Sequence, residues 1–435
     1  MKKALSFVLA AVLAASTLVG CGNSGAAEET KAAEAKTEAA KAEASDAGSA
    51  DELVFKIGGI GPITGGAAIY GLGVQNATKL AADEINAAGG INGYQVEVKF
   101  ADDEHDPEKS VNAYNELKDW GMQALLGTVT SAPCIAVADK ALEDNMFLLT
   151  PSGSSEDCIV NDNAFRVCFS DPEQGAKSAE YIGTNGLASK VAVIYDSSDP
   201  YSAGIYETFA KEAEGQPFEI VSAEAFTADS KTDFTVQIQK AKDGGAELIF
   251  LPIYYEQVSL ILDQANKIGY APKFFGCDGV DGILSLEGFD TSLAEGVMLL
   301  TPFVTDENDA SKEFTANYEA EFGGIPNQFA ADAYDGLYAI KAAIEKAGLT
   351  PDMSVSDLCE GLKGAMVEIT LDGLTGEITW DASGAPVKEP KAMVIKDGAY
   401  TAMQSNTGFN WGLFLQSPFF FLYYIEERRN GIKNM

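Results

Sequence analysis

A chain of 435 residues is long enough for two or three domains with buried cores. Its 65 acidic residues against 30 basic ones leave a net charge of −35, which repels phosphate backbones and anionic lipid head groups and excludes nucleic acid as a partner. One histidine, His105, and six cysteines without a CxxC pair leave no basis for histidine acid–base chemistry, a zinc site or a thioredoxin-like motif, so no metal and no cofactor are expected.

Lys2 and Lys3 precede an apolar run, Ala4 to Gly20, interrupted only by Ser6, Ser16 and Thr17. A basic start, an apolar stretch and small residues before a cut site describe a secretory signal peptide over residues 1–20. A membrane-spanning helix is the other reading, but the run is near the lower length limit and a polar segment follows it. Leu18-Val19-Gly20-Cys21 resembles the bacterial lipobox, which implies a diacylated Cys21 as the mature N-terminus. Residues 21–50 are rich in Ala, Glu, Lys, Ser and Gly and lack large apolar side chains, so they read as a lipidated tether.

From Leu53 the pattern alternates. Leu53–Ile60 reads as a strand, Val74–Ala88 as an amphipathic helix closed by Gly89-Gly90, and Tyr94–Phe100 as an edge strand. Asp106-Pro107 caps a helix running to Trp120, and Met122–Gly127 and Met146–Thr150 are apolar strands with a helix between them. The rhythm restarts with strands at Lys190–Tyr195, Phe218–Phe226, Ala246–Pro252, Lys273–Gly276 and Val297–Leu300, separated mostly by helices. Helices at Phe314–Phe322 and Gln328–Ala347 and a pair of strands within Glu377–Lys396 complete the body. Two such series predict an α/β protein of two doubly wound parallel-sheet lobes. The tail, residues 403–435, is atypically apolar around Pro418 to Ile425.

Open parallel sheets bind ligands at the carboxyl ends of their strands, which directs attention to the loops there. Gly127-Thr128-Val129-Thr130-Ser131 and Thr150-Pro151-Ser152-Gly153-Ser154-Ser155 each follow a strand, and hydroxyls with free N–H groups at helix starts suit a carboxylate. Plain helix capping explains the same residues. Asp278 follows a strand directly and could meet an ammonium, or could belong to an Asp-Gly turn. Tyr70, Tyr201, Tyr254 and Tyr334 lie in or beside these loops, as walls of a site or as packing residues. Gly58-Gly59-Ile60-Gly61 lacks the lysine and spacing of a phosphate loop. The acidic stretch from Asp102 to Glu108 lacks EF-hand spacing and reads as a solvated loop with a helix cap.

The motifs form a series. Gly61-Pro62-Ile63-Thr64-Gly65 with Tyr70-Gly71, Ala82-Asp83-Glu84-Ile85-Asn86 running into Gly89-Gly90-Ile91-Asn92-Gly93, and Asp102-Asp103 with Asp106-Pro107 come first. The two hydroxyl-rich loops follow, then Phe165-Arg166-Val167, Asp171-Pro172 with Gln174-Gly175, Asp278-Gly279 and Ala333-Tyr334-Asp335. In number, order and spacing they resemble the type 1 periplasmic binding proteins, in particular the leucine/isoleucine/valine-binding branch. The resemblance spans about Leu53 to Ala402. It implies two lobes joined by a hinge of three crossovers, lobe 1 from residues 51–171 and 302–372 and lobe 2 from 172–301 and 373–402. It implies a ligand sealed between them, with Ser131, Ser154 and the backbone of Ser152 on its carboxylate, Tyr201 and Asp278 on its ammonium, and Tyr70, Tyr254 and Tyr334 at its side chain. Pro252-Ile253-Tyr254-Tyr255 departs from the family's glycine-tyrosine pattern, so Tyr254 or Tyr255 faces the cleft, and the family's early paired cysteines are missing.

The function implied is the extracytoplasmic, lipid-anchored component of an ABC importer. It would be a monomer that binds an α-amino acid, branched-chain or otherwise aliphatic, and delivers it to a membrane permease. The alternatives are a receptor for an amide, urea or aromatic acid, against which Asp278 weighs, and a sensor domain, for which no membrane span or signalling domain follows the body. An enzyme is not expected, because no G-x-S-x-G elbow exists and the only histidine lies beside a helix cap. Beyond the acylated Cys21, five cysteines in the mature body leave at least one free thiol, and Cys158 and Cys168 enclose the short loop that favours their pairing.

Overall fold

Strand and helix alternate from Val54 onward, as the apolar periodicity predicts. The first series is β1 (Val54–Gly61), α1 (Ala68–Ala87), β2 (Gln95–Asp102), α2 (Pro107–Trp120), β3 (Ala124–Gly127), α3 (Ser131–Glu143), β4 (Phe147–Thr150) and β5 (Ala164–Arg166). Its sheet has the order β2-β1-β3-β4-β5 and is parallel throughout. Every residue of β3 and β4 is buried, which is why these strands read as unbroken apolar runs. β2 lies at the edge, where Val96 is buried between two exposed neighbours. The computed structural model describes residues 53–388 and 390–403; the expected signal segment, the tether with Cys21 and nearly all of the apolar tail lie outside them.

The second series is α4 (Asp171–Thr184), β6 (Lys190–Asp196), α5 (Pro200–Ala213), β7 (Glu219–Phe226), α6 (Thr235–Asp243), β8 (Leu248–Leu251), α7 (Tyr255–Lys267), β9 (Lys273–Gly276) and β10 (Met298–Thr301). Then come α8 (Asp309–Phe322), α9 (Gln328–Ala347), α10 (Val355–Met366), β11 (Thr370–Gly373), β12 (Gly376–Trp380), β13 (Pro386–Val387), β14 (Lys391–Lys396) and β15 (Ala399–Ala402). The second sheet runs β15-β14-β10-β9-β8-β6-β7, with β14 and β15 added antiparallel to a parallel core. The protein is thus α/β, with two doubly wound lobes.

Local chemistry sets the helix starts. Asp106 accepts from the N–H groups of Glu108 and Lys109 at 2.8 and 3.0 Å, and Pro107 occupies the first turn of α2. Ser170 and Glu173 form a reciprocal capping box at α4. α1 begins at Ala68 rather than at the expected Val74, so Tyr70 lies in its first turn. α10, a helix beyond those the sequence predicts, is capped by Ser354 and buries Leu358, Cys359 and Leu362.

The chain leaves the first sheet after β5, leaves the second after β10 and returns to it at β14. The stretch 373–402, expected to belong to lobe 2, is divided. Ile378 and Trp380 share a buried cluster with Phe55, Phe147 and Phe165 of the first lobe, and the Trp380 indole donates to the Arg166 carbonyl at 2.7 Å. Only from Lys391 does the chain pair with the second sheet. The two strands expected within Glu377–Lys396 accordingly belong to different sheets. The expected Cys158–Cys168 pairing is not made, since both are free thiols, as are Cys134, Cys277 and Cys359.

Candidate functional site

The carboxyl ends of the strands in both lobes converge on one small pocket. From the first lobe it takes Val129, Thr130 and Ser131 after β3, Ser152 after β4 and Tyr70 from α1. Tyr201 from α5, Tyr254 after β8, Asp278 and Gly279 after β9, and Phe329 at the start of α9 close the other side.

The two hydroxyl-rich loops brace each other. Thr150 Oγ1 donates to the Thr128 carbonyl at 2.6 Å and accepts from Gly153 N–H at 2.7 Å. Ser152 Oγ donates to the Val129 carbonyl at 2.6 Å, so its hydroxyl proton is already committed. Ser131 Oγ accepts from Ser155 N–H at 3.2 Å, which leaves its own proton to donate. Ser131 is also the first residue of α3, whose cap Thr130 makes no side-chain bond to the helix. Unsatisfied N–H groups, the positive end of the helix and a free hydroxyl proton together suit an anionic group.

The opposite wall is acidic. Asp278 Oδ1 accepts from the Tyr201 hydroxyl at 2.6 Å, and that hydroxyl oxygen accepts from Gly279 N–H at 3.0 Å. Gln174 Oε1 accepts from Asp278 N–H, and Gln328 Nε2 donates to the Asp278 carbonyl, each at 3.2 Å. Burial pushes the Asp278 carboxyl up to about 6 against the hydrogen bonds that favour its charged form. A cation brought beside it would reverse that shift.

Aromatic rings fill the space between these ends. Tyr254 stacks on Tyr201 with centroids 4.9 Å apart and meets Tyr70 edge-on at 5.6 Å. Tyr70 packs on Phe329 at 4.3 Å, donates its hydroxyl to the Gly279 carbonyl at 2.5 Å and accepts from Tyr255 N–H at 3.2 Å. Of the adjacent tyrosines, Tyr254 lines the pocket, whereas the Tyr255 hydroxyl accepts from Ile69 N–H at the start of α1. His105 reaches the rim, with Nδ1 2.8 Å from Thr130 Oγ1 and its ring edge-on to Tyr254. Burial lowers its pKa to about 4, so it is neutral there.

Six of the eight expected ligand residues line this pocket: Tyr70, Ser131, Ser152, Tyr201, Tyr254 and Asp278. Ser154 is set behind the lining, where its hydroxyl lies beside the Asp171 carboxylate. Tyr334 is elsewhere. It lines a separate surface cavity with Phe314 and Tyr338, and its hydroxyl donates to Glu84. In its place α9 contributes Phe329, which sequence reading missed; Val129, Thr130 and Gly279, which lie in the loops and motif singled out from the sequence, complete the lining. Asp171, of the Asp171-Pro172 motif, is the first residue of α4. Both its oxygens and the Ser154 hydroxyl are buried without a hydrogen-bond partner of normal geometry, and burial raises its pKa.

Two doubly wound lobes enclosing a pocket with one hydroxyl-rich and one acidic end define a small-molecule binding protein of the two-lobed kind. The profile of the periplasmic binding protein family matches residues 54–398, and the chain belongs to that family. The Leu/Ile/Val-binding protein homolog 3 of Brucella melitensis is 30% identical over 339 residues, which cover 77% of this chain and 90% of that one. The leucine-, isoleucine-, valine-, threonine- and alanine-binding protein of Pseudomonas aeruginosa is 26% identical, over 76% of this chain and 86% of its own. Among solved structures, the branched-chain amino acid binding protein LivJ of Streptococcus pneumoniae, in complex with isoleucine, superposes with a TM-score of 0.73. It is 27% identical and covers 81% of this chain and all of its own.

Proposed function

We propose that this protein is the extracytoplasmic amino-acid-binding component of an ABC importer, taking an aliphatic α-amino acid, branched-chain above all, between its lobes. The observation that carries the reading is Asp278, a buried carboxylate facing the pocket opposite Ser131 and the start of α3. A zwitterion matches both ends at once: its carboxylate meets Ser131, the backbone of Ser152 and the helix terminus, and its ammonium meets Asp278 and the Tyr201 hydroxyl. Tyr70, Tyr254 and Phe329 then enclose an apolar side chain. Ser154, which the resemblance puts on the carboxylate, stands beside Asp171 behind the lining. The protein is a receptor without catalytic groups or cofactor, works as a monomer and hands its ligand to a membrane permease.

Calorimetric titration with leucine, isoleucine, valine, alanine, benzoate and urea tests this. Saturable binding of one or more of the amino acids is expected; binding of benzoate or urea alone would overturn the reading. Anchorage on the outer face of the cell membrane through Cys21 belongs to the same proposal. Labelled palmitate should be incorporated into the wild type and absent from Cys21→Ala, and equal labelling of both would remove the anchor.

A further inference from the structure

Behind the pocket, two thiols converge. Cys134 sits in the first turn of α3, and Cys158 in the short helical turn Glu156–Ile159 that follows the second hydroxyl-rich loop. Both are fully buried in one apolar cluster and both are free. Gly153 faces both of them. A Cβ added to it would stand 3.1 Å from each of the two sulfurs, and 2.8 Å from Thr150 Oγ1. Glycine at 153 therefore lets both thiols close on the same point of the backbone. Cys158 Sγ also lies 3.7 Å from the Ser131 carbonyl.

From this geometry we propose that Cys134 and Cys158 form a disulfide, a cross-link that ties α3 and the loop bearing Ser131 to the loop bearing Ser152. The two thiols respond oppositely to their surroundings. Contact with Cys158, helped by Thr128 and Thr150, lowers the pKa of Cys134, whereas burial raises that of Cys158. Cys134, in the first turn of α3 where the positive end of the helix favours a thiolate, is the one that attacks. The oxidant is a small or protein disulfide of an oxidising compartment. Cys134 displaces one of its sulfurs as a thiolate and forms a mixed disulfide. The departing thiolate takes the Cys158 proton, and Cys158 attacks the Cys134 sulfur to release the second thiol. Two protein thiols are oxidised by two electrons, and one oxidant disulfide is reduced to two thiols. Because both sulfurs are buried, the exchange belongs to the folding chain or to a moment when residues 150–159 are open.

The Cys134–Cys158 link closes a loop within the first lobe and restricts the unfolded chain, so it stabilises the protein whether or not a ligand is bound. The full chain is equilibrated with oxidised glutathione, unfolded in the presence of iodoacetamide and digested without reductant. The expected product is a peptide pair joined through Cys134 and Cys158, with Cys168, Cys277 and Cys359 alkylated. The oxidised protein should melt a few degrees above the dithiothreitol-treated one, and Cys158→Ser should melt alike under both conditions. Alkylation of both Cys134 and Cys158 in the unreduced sample, or a bridge from either to another cysteine, would overturn the proposal. A redox-dependent melting shift that survives in Cys158→Ser would do the same.

Discussion

Asp278 carries more of the functional argument than any other side chain, and its surroundings set its behaviour. Burial pushes its pKa up to about 6, yet the Tyr201 hydroxyl and the Gly279 N–H hold the carboxylate in place, as the proposed ammonium partner requires. Removing one member of a desolvated charge pair costs about 2–5 kcal/mol, or roughly 30- to several-thousand-fold in affinity. Asp278→Ala should therefore abolish measurable capture of every amino acid, with Asp278→Asn in between. Affinity of the wild type should also fall about tenfold per pH unit below about 6, where the carboxyl must lose a proton before it can pair, and Asp278→Asn should lack that slope. Calorimetry across this range checks both; wild-type affinity in Asp278→Ala would sink the ammonium assignment. This residue was legible because an Asp-Gly pair directly after a strand falls where such sheets bind ligands. Tyr334 was misplaced for a geometric reason. Five residues beyond Phe329 on a helix is a turn of about 140° from its face, so the two side chains cannot both meet the cleft.

Elements whose signals were local could be read; those with competing signals could not. The cap and proline at Asp106-Pro107 and the capping box at Ser170 mark α2 and α4 without reference to the rest of the chain. The start of α1 was hidden because its first turns contain Gly71 and Gly73, which weaken helical propensity. Packing explains Gly71. A Cβ there would stand 1.9 Å from the Pro62 carbonyl oxygen and 2.4 Å from its carbon, both of them backbone atoms. The loop after β1 can lie against α1 only if residue 71 has no side chain, and this contact seats Tyr70 beside Gly279. Gly71→Ala should thus destabilise the protein by about 1–3 kcal/mol or more, the range for forced overpacking, and weaken ligand binding as Tyr70 shifts. A thermal melt and a titration read the two effects. A variant that melts and binds like the wild type would show that the approach of Pro62 is not required.

At the scale of the whole molecule, the alternation of strands and helices revealed two lobes, but the allocation of the last segments to them depends on distant contacts. Nothing near Trp380 announces that its indole reaches Arg166, and that bond, with burial of Ile378, holds residues 373–387 to the first lobe. Long-range burial also sets the pH response. Burial raises Asp103 to about 7, Asp199, Asp278 and Asp281 to about 6, and Asp332 upward despite its ion pair with Lys388, all above the ordinary range near 3.9. For each of them the folded state binds a proton more readily than the unfolded chain. Their contribution is therefore most favourable near pH 4 and is lost as pH rises through about 6 to 7. His105 opposes this. Its folded value of about 4 lies below the ordinary 6.5, so acidification through that window favours unfolding. Five aspartates outweigh one histidine, and protonation also relieves a net charge of −35. The ligand-free protein should accordingly melt at a higher temperature at pH about 5 than at about 8, and Asp103→Asn should reduce the difference. Scanning calorimetry across that range decides it. A melting temperature that falls steadily from pH about 8 to about 5 would mean that these carboxylates are not buried in the folded protein in solution.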